Sequence, residues 1–105
     1  MSTMTYAGKS VDVDGEGFFT DPGQWTVDMA PQIARAEGIT KLTDRHWQVI
    51  NFMRHEYKTR GTGPTVRVLG KTSGVTIREL YELFPMGPAK IAAKIAGIPK
   101  PRGCI

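Results

Sequence analysis

Hydrophobic and polar residues alternate near the start of the chain, in the pattern of a two-stranded hairpin. Val11 and Val13 point to one face while their polar neighbours point to the other, and Gly8-Lys9 is a turn dipeptide. Since a lone hairpin is marginally stable in water, it must lie against helices. The pattern therefore predicts a small β-hairpin within residues 1–20.

Beyond a turn at residues 21–23, apolar residues recur at helical spacing. Trp25 begins a stretch that extends to about Glu37. Asp28 is an alternative first cap, because Pro31 is tolerated only in the first turn of a helix. Two starts for this helix remain open.

The longest predicted helix runs from Asp44 to about Arg60, with Thr43 as its cap and Gly61 ending it. We expect it to be the central helix of the core. Its apolar side comprises Trp47, Ile50, Phe52, Met53 and Tyr57. The side expected to face water comprises Arg45, Arg54, Glu56 and Lys58.

Two short helices follow. Pro64 opens the first, and Thr76 with Glu79 forms a T-x-x-E capping box for the second, which runs through Leu83. The apolar stripe of the second helix comprises Ile77, Leu80, Tyr81 and Phe84. Two short helices joined by a glycine-containing turn resemble a helix-turn-helix.

The last stretch combines a helix and an extended arm. Helix formers run from Pro88 to Ala96, and Gly97 suits the position after a helix end. Pro99 and Pro101 then favour an extended, polyproline-like path. We therefore predict a mainly α single domain over residues 1–105. It would have a hairpin region at 1–20, a helical core with a helix-turn-helix at 21–84, and a helix with a mobile C-terminal arm at 85–105.

Charge is concentrated in the same last stretch. Residues 84–105 contain four cations and no carboxylate, and the formal net charge of the whole chain is also +4. This argues for a local anionic surface on a partner rather than for general binding to nucleic acid. A single cysteine, no secretory leader and no apolar run long enough for a membrane helix predict a cytoplasmic protein that is not bound to a membrane.

The only cysteine, Cys104, is the penultimate residue. Lys100 and Arg102 would favour its thiolate, and Gly103 leaves room for an attacking group. At about 3.1 Å per residue, the arm from Gly97 would reach roughly 20 Å. The pattern predicts an accessible nucleophile suited to sulfur transfer or mixed disulfides, against the alternative of a terminal cysteine without a role.

Other functions have weaker support. Asp12, Asp14 and Glu16 begin like a calcium loop but lack its remainder, and His46 and His55 do not have the i, i+4 spacing of a helical metal pair. We therefore expect no metal, and packing or surface roles for the histidines. No catalytic triad, phosphate loop or cofactor fingerprint is visible.

A DNA-binding regulator is the main alternative, because of the helix-turn-helix. Arg67, Lys71 and Arg78 form only a weak basic patch, and Glu79 and Glu82 would be repelled by phosphate. The sequence thus argues against DNA as a partner.

The C-terminal run FP-x-GPA-x-x-A-x-x-AG-x-PKP-x-x-C-x resembles the signature of the DsrC/TusE family of small sulfur-relay proteins, which includes gamma subunits of dissimilatory sulfite reductase. The likeness extends to DGEGF at 14–18, to Trp25 and to HW-x-x-I-x-F-x-R at 46–54. It covers nearly the whole chain. It implies that Cys104 carries a persulfide.

The resemblance also implies roles and partners. Cys104 would be the catalytic residue of a sulfurtransferase-type carrier, and whether such a carrier counts as an enzyme is partly a matter of naming. The partner-binding residues would be Pro99, Lys100, Pro101, Arg102 and Gly103. Lys90 and Lys94 would extend the positive face or simply be solvated.

Partners would be a sulfur-donor protein and an acceptor, either a tRNA-thiolation enzyme or a sulfite-reductase-like complex. No cofactor is expected beyond the covalent sulfur; any siroheme or iron-sulfur cluster would belong to a partner. Members that act with sulfite reductase usually have a second cysteine eleven positions before the penultimate one. Ala93 stands there, so an internal bridge is impossible and a one-cysteine, TusE-like member is the closer comparison.

Overall fold

A computed structural model describes residues 2–101. Residue 1 and residues 102–105, which include the predicted site residues Arg102, Gly103 and Cys104, lie outside this range. The elements, in chain order, are β1 (Ser2–Tyr6), β2 (Lys9–Val13), a 3-10 turn (Pro22–Gln24), α1 (Met29–Ala36), α2 (Asp44–Arg60), α3 (Val66–Thr72), α4 (Ile77–Leu83) and α5 (Pro88–Ile95). The mainly helical fold with a small hairpin is confirmed.

The hairpin is antiparallel, and Tyr6 pairs with Lys9 across a two-residue turn. Ala7 and Gly8 both have positive φ, 51° and 75°, as a primed hairpin turn requires. The turn is therefore shifted one residue from the predicted Gly8-Lys9. Val11 is buried against the helices, so the hairpin gains the support that it lacks alone.

The helix α1 begins at Met29, with Asp28 as its cap residue, so the later of the two predicted starts is confirmed. The start at Trp25 is wrong. Three residues before Trp25 form the 3-10 turn, and Trp25 itself is extended with a ψ of 140°. The indole is thereby freed for a contact outside the helix.

The helix α2 has the predicted bounds because its two end signals act as expected. The Thr43 hydroxyl accepts the His46 N–H, and Gly61 ends the helix with a φ of 76°. His46 Nδ1 accepts the Thr43 N–H at 3.0 Å, which leaves Nε2 to donate to Leu83 O at 3.0 Å. His46 is thus a packing histidine that links α2 to the end of α4.

The helix α5, rather than α2, is the centre of the core. It contacts every other helix. Its small side chains, including Ala89, Ala92 and Ala93, are fully buried and allow neighbouring helices to approach closely. The prediction of α2 as the central helix is wrong because α2 keeps one exposed face along most of its length.

Two expectations about exposed and buried faces are also wrong. Arg54 is partly buried and Glu56 is only 9% exposed, although both were assigned to water. On α4 the predicted stripe is only half buried, since Ile77 is 46% and Tyr81 50% exposed. Ile77 is nevertheless packed against Gly70 of α3, where any larger residue would overlap it.

Within residues 2–101, no helix is long and apolar enough to cross a membrane. The same range contains no group of three or more histidine, cysteine, aspartate or glutamate side chains arranged to hold a metal ion.

Candidate functional site

The predicted C-terminal arm leaves the body at the end of α5, and this point is sharply defined. Gly97 has a φ of 68°, and its N–H donates to Lys94 O at 3.2 Å. The next N–H, of Ile98, donates to Ala93 O at 3.2 Å. These two bonds form a Schellman motif, which turns the chain away from the helix axis.

Trp25 and Arg54, which we call the clamp, hold this helix end. Trp25 Nε1 donates to Ile95 O at 2.9 Å, and one Arg54 terminal nitrogen donates to Ala96 O at 2.8 Å. The Arg54 guanidinium lies 4.3 Å from the centre of the Trp25 ring, in a cation–π contact. The clamp therefore satisfies carbonyls left open at a helix C-terminus and places a cation at its negative end.

Trp25 also lies directly on Gly97. A Cβ at Gly97 would overlap the indole ring. Glycine is thus required at position 97 for two reasons, the positive φ and the close approach of the Trp25 ring to the backbone.

The first residues of the arm pack on the body. Ile98 is 1% exposed and Pro101 is buried. A Cβ at Gly63 would lie 2.9 Å from Ile98 Cδ1 and 3.2 Å from Pro101 Cγ, so both side chains pack closely on this glycine. The reach predicted from Gly97 is therefore reduced, since the three residues from Pro101 to Cys104 span about 10 Å at most.

The lysines predicted to face a partner are already paired. Lys100 Nζ donates to Glu16 Oε1 at 2.9 Å, and Lys90 Nζ lies 3.6 Å from the same carboxylate. Glu16 therefore joins the arm, α5 and the loop after β2. This contact is the main one at the site that sequence reasoning missed.

Lys94 is held away from these two lysines. Its side chain is only 16% exposed, its Nζ lies 3.6 Å from Glu37, and it sits 5.1 Å from the centre of the Phe18 ring. Lys94 is therefore not a plainly solvated side chain, and its part in a positive face for a partner stays a prediction. Its partner Glu37 lies directly after α1.

The contact between Glu16 and Lys100 predicts a measurable titration. The hydrogen bond from Lys100, helped by the charges of Lys100 and Lys90, lowers the pKa of Glu16. Because the folded pKa is depressed, the pair contributes its full stability above the ordinary glutamate pKa of about 4.3 and loses it as pH falls through the lower folded value. We expect Lys100→Gln to return the Glu16 pKa toward its ordinary value, as followed by carboxyl NMR.

Lys9→Gln, an exposed lysine on β2, is the matched control and should leave the Glu16 pKa unchanged. Equal Glu16 titration curves in the unsubstituted protein and in Lys100→Gln would contradict the contact.

Ala93, the position at which the family resemblance leads one to look for a second cysteine, lies in the interior. It is 0% exposed, and its carbonyl accepts the Ile98 N–H. The backbone at this position thus helps to direct the arm, although the side chain is a methyl group.

The helix-turn-helix region serves the fold. Arg45 of α2 forms a two-point contact with Glu79 of α4, at 2.8 Å and 2.7 Å. Glu79 is therefore committed to a helix–helix contact, and only the Thr76 half of the predicted capping box forms. These contacts explain the two short helices by packing and give DNA binding no support.

Comparisons with known proteins agree with this layout. A family model described as "DsrC like protein" matches residues 5–105. The gamma subunit of dissimilatory-type sulfite reductase from Nitratidesulfovibrio vulgaris is 42% identical over 105 residues, which is all of both chains. Sulfurtransferase TusE from Yersinia pseudotuberculosis is also 42% identical, over 97% of this chain and 100% of its own. The solution structure of DsrC from Allochromatium vinosum superposes with a TM-score of 0.81, at 39% identity over 98% of this chain and 97% of that one.

Proposed function

Because the chain belongs to the DsrC-like family, we propose that it is a sulfur carrier in which Cys104 accepts sulfur as a persulfide and passes it to another protein. The observation that carries this proposal is the full-length similarity both to a protein named sulfurtransferase TusE and to a sulfite reductase gamma subunit. The single cysteine of this chain stands at the penultimate position, and the attacking group in sulfur exchange is a thiolate.

The transfer step balances without an oxidant. The Cys104 thiolate attacks the outer sulfur of a donor persulfide, a new S–S bond forms on Cys104, and the donor's S–S bond breaks. The donor leaves as a thiolate, and the proton of the transferred sulfur stays with the new persulfide. A second attack of the same kind by an acceptor thiolate would unload Cys104.

The described residues support this function by positioning the arm. The clamp fixes the direction in which the chain leaves α5, and Ile98 and Pro101 anchor the first residues against Gly63. Pro99 and Pro101 keep this segment extended. We assign partner contact to residues 99–103, with Lys100 available once it releases Glu16.

The cysteine count bears on the choice of acceptor pathway. Ala93 removes the second thiol, so the chain transfers sulfur through one persulfide rather than through an internal disulfide or trisulfide. This favours a relay to a further protein, such as an enzyme of tRNA thiolation. In this proposal the protein itself needs no metal or organic cofactor, and it acts in the cytoplasm, where thiols stay reduced.

The experiment that tests the proposal is intact-mass measurement after incubation with a persulfidated donor protein or with glutathione persulfide. The protein should gain the mass of one sulfur atom, and dithiothreitol should remove it. Peptide mapping should place the gain in the fragment that contains Cys104. No gain with either donor would contradict the proposal.

A further inference from the structure

A cleft opens beside the root of the arm, between the 3-10 turn and α2. Its volume is about 490 Å³. Pro22, Tyr57 and Ile98 provide apolar walls, and Arg54, His55 and Lys58 provide polar groups. Ile98, which follows Gly97 at the root of the arm, forms part of the cleft wall. A molecule bound in the cleft would therefore lie next to the start of the arm.

Arg54 has the properties of an anion-binding residue at this cleft. It is partly buried, and no carboxylate within residues 2–101 lies within salt-bridge distance of it. Its two hydrogen-bond acceptors are main-chain carbonyls, Ala96 O at 2.8 Å and Pro22 O at 3.4 Å. Burial without a counter-charge lowers the pKa of this guanidinium. A partly buried guanidinium that has unused N–H donors favours the binding of a carboxylate.

The other cleft residues strengthen the charge pattern. His55 and Lys58 are exposed at the rim, and no aspartate or glutamate is among the residues that line the cleft. Asp21 is adjacent in sequence to the lining residue Pro22 but does not itself line the cleft, and its carboxylate accepts the Gly23 N–H at 3.0 Å. In contrast, Lys90, Lys94 and Lys100 are all paired with carboxylates of the chain itself.

We propose that this cleft binds an acidic segment of the acceptor protein, with one carboxylate of that segment on Arg54 and its apolar neighbours against Ile98, Pro22 and Tyr57. This inference rests on the proposed function, since it supplies a docking site for an acceptor at the root of the arm that carries Cys104. The volume exceeds the needs of a single carboxylate or oxyanion, and the apolar walls suit a peptide with alternating acidic and apolar residues.

The test is a titration of the full-length, 15N-labelled protein with two blocked hexapeptides, followed by NMR. One peptide alternates glutamate and leucine, and the other has glutamine in place of each glutamate. We expect the acidic peptide to shift the amide signals of Gly23 and Lys58 and the side-chain Nε–H signal of Arg54. We expect the glutamine peptide to bind at least about tenfold more weakly, because it lacks the charge-assisted hydrogen bond.

Substitutions at the rim of the cleft, at His55 and Lys58, leave the clamp residues Trp25 and Arg54 unchanged. Lys58→Gln combined with His55→Gln should weaken binding of the acidic peptide by about threefold to tenfold, and added salt should weaken binding to the unsubstituted protein. Lys41→Gln, an exposed lysine away from the cleft, is the matched control and should leave the affinity unchanged.

Three outcomes would overturn the inference. These are no shift at the cleft, equal binding of both peptides, or shifts produced by inorganic phosphate but not by the acidic peptide, which would indicate a small-anion site. Loading of Cys104 from glutathione persulfide should be the same in the rim variant and the unsubstituted protein. Failure of peptide binding with normal loading therefore refutes the docking site alone, whereas failure of loading refutes the proposed function.

Discussion

A Cys104→Ser variant is expected to gain no sulfur from a persulfidated donor, under conditions in which the unsubstituted protein gains one sulfur atom. A serine hydroxyl is not ionised at neutral pH and is a weak nucleophile without an adjacent base, whereas a few per cent of a free thiol is thiolate and reacts readily. No other cysteine can substitute, because the chain has only one. The loss should therefore be complete within the detection limit of intact-mass measurement.

The control for this variant is a comparison of its folding with that of the unsubstituted protein. The melting temperatures and circular dichroism spectra of the two proteins should agree, so that loss of sulfur uptake reflects the thiol alone. Unsubstituted protein treated with iodoacetamide should behave like the serine variant. Equal uptake of sulfur by the serine variant would eliminate Cys104 as the carrier.

A Gly97→Ala variant is expected to lower the free energy of unfolding by about 2–5 kcal/mol. A left-handed backbone at a residue with a Cβ costs about 1–2 kcal/mol. Overlap of the new methyl group with the Trp25 ring adds about 1–3 kcal/mol of strain, because the clamp bonds to Ile95 and Ala96 prevent the indole from moving freely. Urea unfolding measures the difference.

Gly38→Ala is the matched control. Gly38 follows α1 with a φ of 89°, and the neighbouring bonds to Arg35 O and Ala34 O form the same motif as at Gly97. Nothing lies within 4 Å of a Cβ at Gly38, so only the backbone term of about 1–2 kcal/mol remains. Equal losses at the two glycines would show that Trp25 does not restrain the arm root.

Local signals in the sequence predicted much of the helical fold. Thr43 and Gly61 gave both bounds of α2, because a cap and a left-handed glycine act through their immediate neighbours. Pro88 and Gly97 did the same for α5. The wrong start of α1 and the wrong assignment of Arg54 and Glu56 to solvent have another origin. The start of α1 and the burial of Arg54 depend on contacts of Trp25 and Arg54 with the distant end of α5, and helical spacing does not report these contacts.

For the candidate site, too, the sequence predicted some residues and missed the contacts between distant parts of the chain. Composition and motif predicted the site residues of the arm, from Pro99 to Cys104, and this assignment stays a prediction. The clamp and the Glu16 contact were missed, since Trp25 and Ile95 are separated by 70 residues and Glu16 and Lys100 by 84. The DGEGF segment of the family resemblance contains Glu16, and its charge opposite a wholly basic tail was the one available signal.

The central place of α5 has a consequence for synthesis on the ribosome. This helix follows every other element in the chain, yet it contacts all the other helices, so the core cannot close until α5 has emerged. A nascent chain that stops before α5 exposes the apolar faces of α1 and α2 and becomes a substrate for proteases. Molecules that complete folding have therefore already been translated almost as far as the cysteine.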